Sequence, residues 1–302
     1  FLRGGEARLW KCPFHGEKHG HSLVVWHDGW RCFGACQVSG DVLDWLQMYR
    51  GLSFREAHNV LRERVRGSTL VTPPRPRTVV DLPPAAPPDI SWQAVVRPLL
   101  ANAEKALWSD DGRKALTYLR QRGLTDETIR AARIGLIPGH SWEWRRVKGI
   151  TISPGLTLPW WHEDDLWAVR VRRSAQVLKY VNVTGSSTQG LYRAGTLQTG
   201  TPLLFVEGEF DALLAAQEAE GRVNVVTLGS ATSRLNTCWL PLLAHCAPLL
   251  IAYDADTAGA SGATRLQKAL PQARVVQIPA GKDITEFIQG GGDFRAWLAQ
   301  VL

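Results

Sequence analysis

A chain of 302 residues can bury at least one full hydrophobic core, and its length alone suggests about two domains. No apolar run reaches the length of a membrane span and no signal-peptide pattern opens the chain, which sets aside a helical membrane protein and a secreted disulfide scaffold. Five cysteines are an odd count, and three of them cluster early, a usage that fits metal binding in a reducing, cytoplasmic compartment. The net charge of +7 is uneven: Lys and Arg outnumber Asp and Glu up to residue 198, and the balance reverses from residue 199. A basic middle beside an acidic end suits a polyanion held against a metal site, although an arginine-rich proteome gives basic surfaces without one.

Residues 1–66 read as a zinc ribbon with two helices. Cys12-Pro-Phe-His15 is followed, after strand-like text, by Cys32-Phe-Gly-Ala-Cys36. Two ligand pairs separated by a hairpin-sized span have the spacing of a structural zinc site, where three thiolates and one imidazole close a tetrahedron to water. Between the pairs, residues 22–26 and 30–31 read as strands joined at His27-Asp28-Gly29, an Asp-Gly hairpin turn. His19, His21 and His27 have no partner at ligand spacing and read as surface residues. Asp41 is expected to cap a helix over 42–49, and Ser53 with Glu56 forms a capping box for another over 54–65. Trp10, Trp26, Trp30 and Phe33 lie among Lys11, Lys18 and Arg31, a mixture that can stack single-stranded bases. A ribbon this small also needs aromatics for its own core, and each of them taken singly is better read that way.

The segments Cys-Pro-Phe-His-Gly-Glu-Lys, Cys-Phe-Gly-Ala-Cys and Ser-Gly-Asp-Val-Leu resemble the CHC-type zinc-binding domain of bacterial and phage DnaG-type primases. The second cysteine pair has one residue more than the Cys-x-x-Cys usual in the bacterial form. Either spacing makes a chelating turn, and the longer one leans toward phage- or plasmid-type relatives.

Residues 67–90 read as a linker. Pro73, Pro74, Pro76, Pro83, Pro84, Pro87 and Pro88 forbid a continued helix or a central strand and favour an extended, semi-rigid tether. The next domain, 91–200, is expected to be α+β and basic. Helices are expected over 91–107, 111–122 and 126–132, the second ended by Gly123 and the third capped by Thr125. Strands follow over 156–161 and 166–172, separated by the polar turn Glu163-Asp164-Asp165. Arg170 and Arg172 alternate onto one strand face, where a row of cations can hold phosphates, or can simply be solvated. The stretch from Ala115 through Arg-Gly-Leu-Thr-Asp to Ile129 resembles the start of the primase catalytic core. There, a Lys-Tyr-x-Asn segment and a preceding Arg line a groove for nucleotide phosphates and template, which the resemblance carries to Lys179, Tyr180, Asn182 and Arg172.

Residues 201–302 read as an α/β domain with a parallel sheet flanked by helices. Leu-Leu-Phe-Val ends at Glu207, and Asp211 lies at the start of an alanine-rich helix. Strands over 223–228, 249–253 and 274–278 lead into Gly229-Ser230, Asp254-Ala-Asp256 and Lys282-Asp283. Strands alternating with helices make parallel βαβ units, whose ligands lie at the carboxyl ends of the strands. Carboxylates crowded at that edge need a divalent cation, and hard oxygen ligands suit magnesium or manganese. Cys238 and Cys246 read as ordinary buried thiols.

The acidic order resembles the Toprim pattern shared by primases, topoisomerases and some nucleases. It implies a catalytic set of Glu207, Asp211, Asp254, Asp256 and Asp283, with Glu207, Asp254, Asp256 and Asp283 as magnesium ligands. The last motif reads Asp283-Ile284-Thr285-Glu286 where bacterial primases commonly have Asp-Pro-Asp-Glu, so one aspartate of a second metal site is replaced. The whole resemblance, zinc ribbon through Toprim, implies a DnaG-type primase, a DNA-directed RNA polymerase making short primers from NTPs on single-stranded DNA. It also implies a replicative helicase as partner, in trans or as a continuation of the chain. The alternatives are a Toprim nuclease and a non-catalytic DNA-binding adaptor. The tyrosines have no topoisomerase context, and the presence of Glu207, Asp254 and Asp256 argues against the adaptor.

Overall fold

The computed structural model describes residues 8–14, 21–26, 29–32, 36, 38–67, 85–140, 143–174 and 179–302. His15 and most of the proline-rich linker lie outside them, as do Lys18, His19, His27 and Phe33. The chain divides into two compact units, Phe1–Val80 and Asp81–Leu302.

In the first unit, strands β1 (Arg8–Trp10), β2 (Leu23–Trp26), β3 (Gly29–Cys32) and β4 (Ser39–Gly40) form an antiparallel sheet in that order. Helices α1 (Val42–Arg50) and α2 (Phe54–Gly67) follow. The first is held by a reciprocal box: Asp41 accepts from the Leu43 and Asp44 amides, and Asp44 accepts from the Asp41 amide. The second has the expected Ser53–Glu56 box. The core is small: Cys12, Leu23, Trp30 and Cys32 are buried, with Phe14, Val25 and Trp45 packed against them. Of the tryptophans, Trp30 is thus core, whereas Trp10 is exposed.

The second unit opens with α3 (Ile90–Leu107), capped by Asp89. The helix expected over 111–122 is preceded by a 3-10 turn at Asp110–Gly112, and only then runs as α4 (Arg113–Gln121). After α5 (Asp126–Ala131), strands β5 (Gly135–Ile137), β6 (Arg145–Val147), β7 (Ile150–Ile152), β8 (Gly155–His162), β9 (Asp165–Arg172) and β10 (Tyr180–Asn182) follow. Their main sheet is antiparallel, ordered β10-β9-β8-β5, with β6 and β7 as a separate hairpin. One of its core clusters gathers Trp92, Val96, Leu100 and Ala103 of α3 with Ile137, Val169 and Val171, while Leu156, Leu158 and Trp160 join the core of the next sheet.

That sheet is parallel. Its strands are β11 (Leu203–Val206), β12 (Asn224–Thr227), β13 (Leu249–Ala252) and β14 (Arg274–Val275), ordered β12-β11-β13-β14. Helices α6 (Glu209–Ala219), α7 (Leu240–Leu243), α8 (Thr257–Ala269), α9 (Ile284–Gln289) and α10 (Phe294–Val301) complete the unit. Every residue of β11, β12 and β13 is buried, and β11 and β13 are the continuous apolar runs that a parallel strand covered on both faces requires. The edge strand β14 is shorter than expected and leaves Val275 46% exposed. An edge strand pairs on one side only, so its apolar run does not oblige it to continue. No helix among the described residues is long and apolar enough to cross a membrane.

Candidate functional site

The zinc-binding cluster lies within the first unit. The ligand atoms of Cys12, Cys32 and Cys36 are all within 4.8 Å of one another, and the Cys12 and Cys36 sulfurs are 3.5 Å apart. Zinc–sulfur bonds of about 2.3 Å in a tetrahedron put sulfurs roughly 3.8 Å apart, so the cluster has the right size for that ion. Burial, with the neighbouring thiols adding to it, pushes the Cys12 thiol up to about 11. Three thiols this close, two of them buried, favour a cation that takes their protons' place. The fourth expected ligand, His15, lies outside the described residues.

The acid edge lies in the second unit, where the parallel sheet ends. Glu207 follows β11 directly, Asp211 is in the first turn of α6, Asp254 follows β13, and Asp256 and Asp283 cap α8 and α9. All five carboxylates expected from the sequence are therefore at one sheet edge. Close backbone packing builds it. A Cβ on Gly259 would come within 2.1 Å of the Asp254 carbonyl oxygen, so α8 can begin against the end of β13 only with glycine there. The amide of Ala255 donates to the Lys282 carbonyl at 2.8 Å and ties the two acidic loops together.

The carboxylates differ in state. Asp254 is raised to about 7, by burial first and then by the charges of Glu207, Asp211 and Asp283. Burial also raises Glu207 and Asp211. One Glu207 oxygen, Oε2, is buried without a hydrogen-bond partner. Asp211 accepts from the Thr285 hydroxyl at 2.5 Å and from its amide at 3.3 Å. Asp256 is lowered, first by the Gly259 amide and then by Lys282, whose ammonium lies 3.1 Å from Asp256 Oδ2 and 3.5 Å from Asp254 Oδ2. Among the described residues, no three carboxylate oxygens come as close together as the cysteine sulfurs do. This is an open edge, suited to an ion that keeps several waters and takes only one or two carboxylates directly, as magnesium does. The orphaned Glu207 oxygen and the mutual charge raising Asp254 both fit such an ion.

Beside the edge is a basic wall. Arg170 and Arg172 share a face of β9, as expected, but have different partners. Arg170 donates to Glu209 at 2.9 Å and to the Gly229 carbonyl. Glu209 is 2% exposed, so the arginine neutralises a buried carboxylate and is not a free phosphate ligand. Gly229, at φ +80°, leaves the space: a Cβ there would fall 2.3 Å from the Arg170 guanidinium. Arg172 stacks 4.5 Å from the centre of the Tyr118 ring, with Tyr180 and Phe210 each 5.9 Å away. Arg122 joins it, 4.8 Å from the Phe210 ring centre and donating to the Tyr118 hydroxyl at 3.1 Å. The Nε atoms of Arg122 and Arg172 are buried without a hydrogen-bond partner. Tyr180 and Asn182 line a cavity of about 210 Å³ with Trp160, Arg170, Ser187 and Thr188. Lys179 is exposed just before β10.

Residues 2–72 match the CHC2 zinc finger family model, and residues 204–288 match the Toprim-like model. The chain is similar to the DNA primase of Listeria monocytogenes, at 24% identity over 93% of this chain and 51% of that one. It is also similar to those of Pseudomonas aeruginosa (28%, covering 96% and 49%) and Deinococcus radiodurans (28%, covering 96% and 55%). Both family-model matches and these relatives are those of a DnaG-type primase, which the chain resembles over nearly its whole length. It spans about half the length of the curated relatives it matches. In fold it resembles the zinc-binding and RNA polymerase domains of the Aquifex aeolicus primase, with a TM-score of 0.52 at 23% identity, covering 99% of this chain and 79% of that one. It also resembles a DnaG primase catalytic domain bound to single-stranded DNA, with a TM-score of 0.54 at 19% identity over 69% and 79%.

Within this primase fold, two residues of the wall escaped sequence reading. Arg122 sits in Gln-Arg-Gly, where it reads as an ordinary helix C-terminus. Its place is fixed from a distance: the Gln217 side chain accepts from the Thr125 amide and donates to the Gly123 carbonyl, each at 2.9 Å, locking the turn after Arg122 onto α6. Glu209 lies in the conspicuous Glu-Gly-Glu, and its burial and pairing become visible only when β9 is laid against α6.

Proposed function

We propose that this chain is the zinc-ribbon and polymerase part of a primase, a DNA-directed RNA polymerase that joins NTPs into short primers on single-stranded DNA. The observation that carries the reading is the acid edge with a two-arginine, three-aromatic wall beside it, in a chain whose relatives are named DNA primase. Glu207, Asp254, Asp256 and Asp283 would hold magnesium or manganese, and Asp211 would buttress the set. Such an ion supplies Lewis acidity toward phosphate oxygens when bound.

The chain's own groups do the positioning. Arg122 and Arg172 are oriented by stacking, so their forks face a triphosphate with little ordering left to lose. Tyr180 offers a ring face to a base, Asn182 an amide, and exposed Lys179 a charge for template phosphates. In the zinc ribbon, His15 would complete the site with Cys12, Cys32 and Cys36, and the ribbon would hold template. By the same reading the domains are 1–66, 67–90, 91–200 and 201–302, and a replicative helicase is the partner.

The test is synthesis itself. The purified chain is given single-stranded DNA, labelled NTPs and magnesium beside Asp254→Ala. Short labelled RNA from the wild type alone supports the reading. Cutting of the template without synthesis would favour a nuclease, and DNA binding with neither activity an adaptor.

A further inference from the structure

Lys282 is a cation set into the acid edge. Its ammonium touches both carboxylates of Asp254-Ala-Asp256, at 3.5 and 3.1 Å. The backbone holds it there from both sides: its carbonyl accepts from Ala255, and its amide donates to Glu286 Oε2 at 2.8 Å. The other end of the cluster is closed by the protein's own donors. Where a second aspartate would reach a second ion, Thr285 gives its hydroxyl to Asp211. Asp283 Oδ1 accepts from the Glu286 amide at 2.7 Å. Asp256 is tied in the same way, its Oδ1 accepting from the Gly259 amide at 2.9 Å, while its Oδ2 faces Lys282. A second divalent ion between Asp254 and Asp256 would have to evict Lys282.

We propose that Lys282 stands in place of a second divalent ion, so that the acid edge takes one ion and the lysine supplies the remaining positive charge. This rests on the metal-dependent reading above and deepens it. The lysine side chain is 52% exposed, so its ammonium can also turn toward a phosphate that arrives with the ion. A tethered monovalent charge suits a cluster that has lost one carboxylate, because it adds charge without asking for further oxygen ligands.

The test counts ions. Manganese is titrated into the intact, zinc-loaded chain while the electron paramagnetic resonance signal of free aqueous manganese is followed. The wild type is expected to take one manganese ion, Lys282→Arg one, and Lys282→Met two. Lys282→Gln carries the same expectation as Lys282→Met, should the methionine variant fail to fold. Two ions in the wild type, or one in a folded Lys282→Met or Lys282→Gln at whatever affinity, overturns the proposal. No manganese bound by a folded, zinc-loaded wild type would instead sink the metal-dependent reading on which it stands.

Discussion

Among the described residues are two clusters of metal-seeking side chains, built in opposite ways. The zinc cluster is small, largely buried and soft: three sulfurs within 4.8 Å of one another, in a unit whose described core has only a handful of residues. The acid edge is wide, partly open and hard, and rests on a parallel sheet of which three strands, β11, β12 and β13, are buried throughout. In the first, the metal would substitute for a core. In the second, the core is complete, and carboxylates are crowded at its edge at a cost that the fold can bear. A small core makes an ion structural, and a large one leaves it free to come and go.

The largest effect that separates the two is zinc removal. Structural zinc contributes about 10–16 kcal/mol at neutral pH, so chelation or Cys32→Ala should unfold the first unit and leave the second with an unchanged melting transition. Circular dichroism during chelation checks this, and a loss of both transitions together would break the comparison. Next is the buried ion pair under the basic wall. Arg170→Ala strands Glu209 and should destabilise the second unit by about 3–5 kcal/mol, read by urea denaturation. Arg170→Met with Glu209→Leu should recover most of it, since the pair's role is internal neutralisation.

Much of this contrast can be read from sequence, and the unread part has one cause. Cys12, Cys32 and Cys36 are visible because a chelating turn is local. Asp41 and Ser53 are visible because a cap acts within three residues. Glu207 and Asp254 are visible because each ends an apolar run. Arg170–Glu209 and Asp211–Thr285 are pairs 39 and 74 residues apart, and no local pattern announces them. Arg172 was marked from sequence, but its stacking on Tyr118 and Phe210 needs two other elements to arrive. The shortness of β14 follows from its edge position, which apolar content does not reveal.

Smaller effects sharpen the acid edge. Asp254→Asn should lower primer synthesis by at least about 100-fold, the scale of losing one preorganised electrostatic partner, with zinc content and fold unchanged. Arg122→Lys should raise the KM for NTP more than it lowers kcat, because a lysine keeps the charge but loses the stacked fork. The pH dependence has a definite sign. Asp254 is raised from 3.8 to about 7 in the fold, so its contribution to stability is fully present below about 4 and is lost as pH rises through about 7. In the metal-free chain, the melting temperature of the wild type relative to Asp254→Asn should therefore fall by a few degrees between pH 4 and 8. Asp256, lowered in the fold, works the other way, losing its contribution as pH falls below about 4. Magnesium should flatten the loss at high pH by favouring the ionised carboxylates.

The most direct test of the contrast follows both metals in one sample. Magnesium is withdrawn and restored while primer yield and bound zinc are measured together. The account predicts that yield falls to background and returns with magnesium, while zinc stays at one per chain throughout. Yield that ignores magnesium, or that fails only in step with zinc release, would contradict it.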